Sequence, residues 1–213
     1  MDPPDPTAIE RLKARWRAEM RRRLAAMPEA DRMAESCRIC ELLAGSLPWR
    51  RARVVLLYAP LPGEPDVRPL WRRALEEGRQ LALPRYDPVR DAYVPALVTR
   101  PEEDLCHGRY GVKEPRPELP ALSWDQPDLI VVPGLAFDPW GARLGRGGGH
   151  YDRMLRLTHG FRCGVAFRCQ WTGRLPALPH DVRMHAVVTA GGWFEVELKG
   201  PEPPGQDPAV STR

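Results

Sequence analysis

Short, unbroken apolar runs recur along this chain, separated by stretches whose apolar residues fall three and four apart. The runs are residues 54–58 (VVLLY), 81–84 (LALP), 129–132 (LIVV), 164–167 (GVAF) and 186–189 (AVVT). Segments of this length, bounded by Pro, Gly or charged residues, suit strands buried on both faces, the condition of a parallel sheet covered by helices. Residues 93–98 read as an additional strand, and Pro95 sends it to a sheet edge, where a missing N–H is tolerated. Strand and helix patterns alternate, so the expected fold is α/β: a single three-layer domain with a mostly parallel sheet flanked by helices on both faces.

The helical patterns are specific about their inward faces. Ile9, Leu12, Trp16, Met20, Leu24 and Met27 mark one side of a first helix whose other side is crowded with Arg and Lys. A second helix follows Pro28, with Met33, Cys37, Cys40 and Leu43 or Ala44 expected inward and Gly45 and Pro48 as stop signals. Val67, Leu70, Trp71, Ala74 and Leu75 give a further helix its inward face before Gly78. The domain is expected over residues 8–198, between flexible tails at 1–7 and 199–213, the second rich in proline.

Composition narrows the function classes. The 213 residues allow one substantial core. A net charge of +4 suits anionic small molecules and is too weak for nucleic acid unless concentrated. The seven basic residues over 11–23 read chiefly as a solvated helix face. Residues 1–10 are acidic and proline-rich, unlike a secretory leader, and no run approaches the ~18 apolar residues of a membrane helix, so a cytoplasmic protein is expected. Five cysteines without a regular framework read as reduced thiols, Cys37 and Cys40 as helix packing. A monomer is the favoured state, with no nucleic-acid or membrane partner.

The stretch with most chemistry runs over residues 128–155, from a buried strand through a glycine-rich turn into a helix expected over 151–157. That order places it where open α/β sheets bind ligands. Gly145, Gly147, Gly148 and Gly149 let backbone N–H groups converge, and Arg143 and Arg146 supply charge for a phosphate. Neither a Walker loop nor a dinucleotide fingerprint is present. Glycine richness alone fits a flexible turn equally well; two arginines, Tyr151 and Asp152 within a dozen residues favour a phosphate cradle.

The motif RLGRGGGHYDR at 143–153 resembles the signature of the 5-formyltetrahydrofolate cyclo-ligase family, also called methenyltetrahydrofolate synthetases. YAPLPGE ending at Glu64, LALPR at Arg85, GVKEP at 111–115, VPGLAFD at 132–138 and Pro-His-Asp at 179–181 follow in the family's order, so the match spans about residues 8–190. The resemblance implies ATP and Mg2+ as cofactors and a folate as substrate. It implies that Lys13 and Arg17 reach ATP, while Arg143, Leu144, Gly145, Arg146, Gly147, Gly148, Gly149, His150 and Tyr151 wrap its phosphates. Arg146 and residues 147–150 would also border the folate, Glu64 would accept from the pterin, and Asp152 and Asp181 would serve magnesium. Arg143, Arg146 and Tyr151 are the implied catalytic residues. His150 stands where many relatives carry Tyr, and Ala190 where an acidic residue is common.

The implied reaction is ATP-driven ring closure of 5-formyltetrahydrofolate to 5,10-methenyltetrahydrofolate, releasing ADP and phosphate. A non-catalytic folate or nucleotide sensor, a sugar-phosphate isomerase-like enzyme with a similar anion cradle, and an RNA-binding protein using the basic first helix are the alternatives.

Overall fold

The computed structural model describes residues 6–108 and 111–196. The first helix, α1 (Pro6–Ala26), already contains Pro6 and Thr7, which were expected in the tail; residues 1–5 and 199–213 lie outside the described residues. Then come α2 (Glu29–Gly45), α3 (Leu47–Arg51), β1 (Val54–Leu56), α4 (Arg68–Glu76), β2 (Gln80–Asp87), β3 (Ala92–Val98), the short α5 (Pro101–Asp104), β4 (Leu105–His107), β5 (Lys113–Pro115) and β6 (Leu129–Pro133). A hairpin of β7 (Ala136–Phe137) and β8 (Arg143–Leu144), then α6 (His150–Leu155), β9 (Phe161–Val165), β10 (Ala186–Thr189) and β11 (Gly192–Glu195) complete the order.

Seven strands form one sheet in the order β11-β10-β9-β6-β1-β2-β3. The five from β10 to β2 are mutually parallel, and both edges are antiparallel. Pro95 lies in edge strand β3, as its missing N–H requires. Strand β11 has no distinct apolar run and escaped the sequence reading. Side chains alternate across the sheet: Val55, Leu57, Leu81, Leu83, Val131 and Val165 join α1 to α4 in one core, while Leu56, Ala82, Ile130, Val132 and Val187 join Phe137, Leu155 and Met184 in the other. The second face is covered by α6 and irregular segments rather than by a full helical layer.

Helix α2 is rotated relative to expectation. Its buried residues are Ser36, Ile39, Cys40, Leu43 and Ala44, whereas Met33 and Cys37 face solvent. Ser36 obscured the phase because it is polar yet buried: its hydroxyl donates to the Arg32 carbonyl at 2.6 Å and accepts the Asp66 N–H at 3.0 Å.

Strand order reverses between β1 and β6, and side chains beyond their carboxyl ends meet in one crevice. Asp138 fixes the chain there. Its buried carboxylate accepts the Trp140 and Ala142 N–H groups through Oδ1 (3.0 and 2.8 Å) and the Leu175 N–H through Oδ2 (3.0 Å). Burial raises its pKa against the pull of these donors. Asp138→Ala would leave those three N–H groups without an acceptor at ~1–3 kcal/mol each, so urea unfolding should show a loss of about 3 kcal/mol or more. A loss below about 1 kcal/mol would mean that water replaces the carboxylate.

Candidate active site

A cavity of about 940 Å³ opens at the carboxyl ends of β1 and β6. Every residue singled out for ligand contact lines it: Lys13 and Arg17 from α1, Glu64 from the loop after β1, residues 143–152 from β8 through α6, and Asp181. Lys13 and Arg17, one turn apart on α1, reach the crevice together. Arg17 Nε donates to the Gly145 carbonyl at 3.2 Å, docking α1 against the glycine loop.

Three hydrogen-bonded cation–carboxylate pairs organise the walls, and Glu10 is a looser partner 3.6 Å from Lys13 Nζ and 3.7 Å from Arg17 Nη2. Lys13 is only 5% exposed, and its Nζ lies 2.6 Å from Asp181 Oδ2. Arg143 Nη2 donates to Asp152 Oδ2 at 2.8 Å. Arg146 Nε donates to Glu64 Oε1 at 3.1 Å, and the Leu61 N–H reaches the other Glu64 oxygen at 3.0 Å. Val182 N–H donates to Asp152 Oδ1 at 3.2 Å, which sets the two aspartate-bearing segments side by side.

The glycines have local reasons. A Cβ at Gly145 would stand 2.9 Å from Arg143 Nη1, so the bare backbone is what lets the guanidinium fold over the loop. Gly149 adopts a left-handed conformation (φ 65°) immediately before α6. That helix begins one residue earlier and ends two earlier than expected and has six residues, so cationic side chains rather than a helix field dominate the charge here. Arg143 also lies over the Tyr151 ring, 5.4 Å from its centroid, and its buried Nε has no hydrogen-bond partner among the described residues.

His150 presents its ring edge-on to Tyr93 at 5.4 Å, and its Nδ1 lies 2.9 Å from Arg153 Nη2. Because a guanidinium only donates, this contact assigns the lone pair to Nδ1 and the proton to Nε2. Tyr58, Tyr93, Lys113 and Glu114 line the same cavity and were not singled out individually. The GVKEP segment signalled the last two and the YAPLPGE segment opens at Tyr58; nothing local marked Tyr93.

Burial pushes the Glu64 carboxyl above its ordinary value, against the lowering pull of the Leu61 N–H and the Arg146 charge. The phenols of Tyr58 and Tyr151 are raised chiefly by burial and further by the Glu64 charge.

The aspartates serve first as partners of cations. Both Asp152 oxygens and Asp181 Oδ2 already accept hydrogen bonds, the last from Lys13 and from the Leu178 N–H at 2.7 Å. Among the described residues, Asp181 Oδ1 has its one polar contact with the His180 ring, at 3.8 Å. No group of three or more potential metal ligands occurs among the described residues. Asp181 Oδ1 and a lone pair on each Asp152 oxygen remain available, so this donor set fits magnesium met directly or through its waters.

Comparison with known proteins adds an independent test. A family model described as the 5-formyltetrahydrofolate cyclo-ligase family matches residues 9–190. The chain belongs to this family. It is therefore an enzyme of the cyclo-ligase class, which sets aside the isomerase reading. A 5-formyltetrahydrofolate cyclo-ligase of Mycolicibacterium smegmatis is 35% identical over 190 residues, covering 84% of this chain and 94% of the relative. One from Escherichia coli strain K12 is 32% identical over 148 residues, covering 68% and 81%. The NMR structure of Aquifex aeolicus 5,10-methenyltetrahydrofolate synthetase superposes with a TM-score of 0.79 at 30% identity, covering 93% of this chain and 99% of that one. No helix among the described residues of this cyclo-ligase is long and apolar enough to cross a membrane.

Glu64 yields a pH-dependent prediction. A folded-state pKa above the unfolded value stabilises the protein fully below the unfolded pKa, and this contribution is lost as pH rises through the folded pKa. Glu64→Gln cannot ionise, so its melting temperature should gain on that of the parent as pH rises from the ordinary value of 4.5. Thermal melts of ligand-free protein at about pH 4.5 and about pH 7.5 measure the gap. A gap that moves against the variant as pH rises would mean that the Arg146 pair outweighs burial.

Proposed function

We propose that this enzyme uses ATP, with magnesium, to close the ring of 5-formyltetrahydrofolate, yielding 5,10-methenyltetrahydrofolate, ADP and phosphate. The observation that carries the reading is the convergence of Lys13, Arg17, Arg143 and Arg146 on one glycine-lined cavity that also holds the buried Glu64. Cations suit a polyphosphate, and a carboxylate with restricted solvent access suits the amide-like N–H donors of a pterin.

A formyl amide is a poor electrophile because its nitrogen lone pair is delocalised onto oxygen. Attack of that oxygen on the γ-phosphorus breaks the bond to the ADP oxygen and converts the formyl oxygen into a phosphate ester. The neighbouring folate nitrogen then adds to the activated carbon and loses its proton, and departure of phosphate completes the methenyl bridge. No covalent enzyme intermediate is needed.

The chain's own residues align and neutralise. Lys13 and Arg17 hold the polyphosphate from α1, and the N–H groups of residues 145–149 cradle it. Arg143 and Arg146 meet the charge that spreads over the transferring phosphoryl oxygens, with Tyr151 as the ring that supports Arg143. His150 Nε2–H adds a donor along the loop. Magnesium carried on the nucleotide supplies further charge neutralisation, and Asp181 would meet it through a water. The chemistry is positioning and electrostatics, so it depends on a dry, rigid crevice.

Mixing the purified protein with ATP, magnesium and 5-formyltetrahydrofolate should produce methenyl absorbance; binding of both ligands without product would contradict the reading. Lys13→Ala removes a charge-assisted partner worth ~1.5–3 kcal/mol, so the KM for ATP should rise about tenfold or more. A change below about twofold would remove Lys13 from the nucleotide site.

A further inference from the structure

Two of the ion pairs stay within the phosphate side of the cavity, Lys13 with Asp181 and Arg143 with Asp152. The third crosses it. Arg146, from the glycine loop, donates to Glu64, which follows β1 and stands 82 residues earlier in the chain. On the functional reading above, on which this inference rests, Arg146 turns to phosphate and Glu64 to the pterin. In the ligand-free protein, each is therefore the other's partner.

We infer that the Arg146–Glu64 ion pair couples the two ligand sites, so that binding of the nucleotide strengthens binding of the folate and the reverse. The coupling follows from a thermodynamic cycle. A phosphate that takes the Arg146 guanidinium parts the pair, and so does a pterin that needs the Glu64 oxygen to which Arg146 donates. Whichever ligand arrives first separates the pair, and the second meets a partner already released. Linkage makes the two enhancements equal.

The environment of the pair sets the size and asymmetry of the effect. The Glu64 side chain is 7% exposed and that of Arg146 45%, so Arg146 has room to swing toward a ligand while Glu64 stays in place. Glu64 Oε2 keeps its hydrogen bond from the Leu61 N–H when Arg146 leaves, which holds the carboxylate oriented for the second ligand. Half-exposure of the arginine screens the pair and bounds the coupling at about threefold to tenfold, the low end of ordinary linkage between sites.

The test is equilibrium binding to the full chain. The dissociation constant of 5-formyltetrahydrofolate is measured with and without a saturating β,γ-imido analogue of ATP plus magnesium, and that of the analogue with and without the folate. The parent should show the same gain, about threefold to tenfold, in both directions. In Arg146→Ala and in Glu64→Gln the ratio should fall to about one, whatever happens to either absolute affinity, because no pair remains to be parted. Arg146→Lys, which keeps the charge without the fork, should retain part of the ratio. A general structural defect would weaken both ligands and leave the ratio intact. An unchanged ratio in Arg146→Ala, or a ratio of one in a parent that binds both ligands, would overturn the coupling alone. Failure of the parent to bind either ligand would overturn the functional reading as well.

Discussion

A cation removed from water has to find an anion nearby, and the crevice of this enzyme is built around that requirement. Lys13, almost fully buried on α1, meets Asp181 from a segment between β9 and β10, and Arg143 meets Asp152 at the start of α6. Separating a buried pair leaves an uncompensated charge, which is strongly unfavourable, so each pair holds together the elements that carry it. The pairs fasten the first helix across the strand ends and fold the glycine loop between them. In the proposed reaction they also keep the cations oriented in advance of a polyphosphate, which exchanges one set of oxygens for another.

The sheet decides where this happens. Parallel strands buried on both faces force their connections over the top and bottom of the sheet, and the reversal between β1 and β6 opens a gap between two such connections. The loop ending at Glu64 comes from one side of that gap and the segment leading to Arg143 from the other. Asp138 holds the second in shape through backbone N–H groups, so the placement of Arg143 relies on a carboxylate that does not line the cavity.

Much of this was legible in the sequence because it is local. Apolar runs such as VVLLY and LIVV need only their own length and flanks to be read as buried strands, and their alternation with helical periods gives the layer order. The glycine motif was legible because Arg143, Arg146, Tyr151 and Asp152 crowd into a few residues. The pairings were not. Lys13 and Asp181 are 168 residues apart, and nothing in either neighbourhood names the other. Sequence placed the aspartates beside a metal; the structure gives their oxygens first to Lys13 and Arg143, a competition that only three-dimensional proximity reveals. Ser36 misled in the opposite sense, since a polar side chain that satisfies itself locally hides the inward face of a helix.

In the proposed reaction the cavity aligns the formyl oxygen with the γ-phosphorus, so that this oxygen leaves with the phosphate. Labelling the formyl oxygen of 5-formyltetrahydrofolate with oxygen-18 and analysing the released phosphate by mass spectrometry tests that claim directly. One labelled oxygen should appear in each phosphate formed alongside the methenyl product. Unlabelled phosphate, with the label recovered in water, would mean that ATP is hydrolysed separately from ring closure and that the formyl oxygen is never phosphorylated.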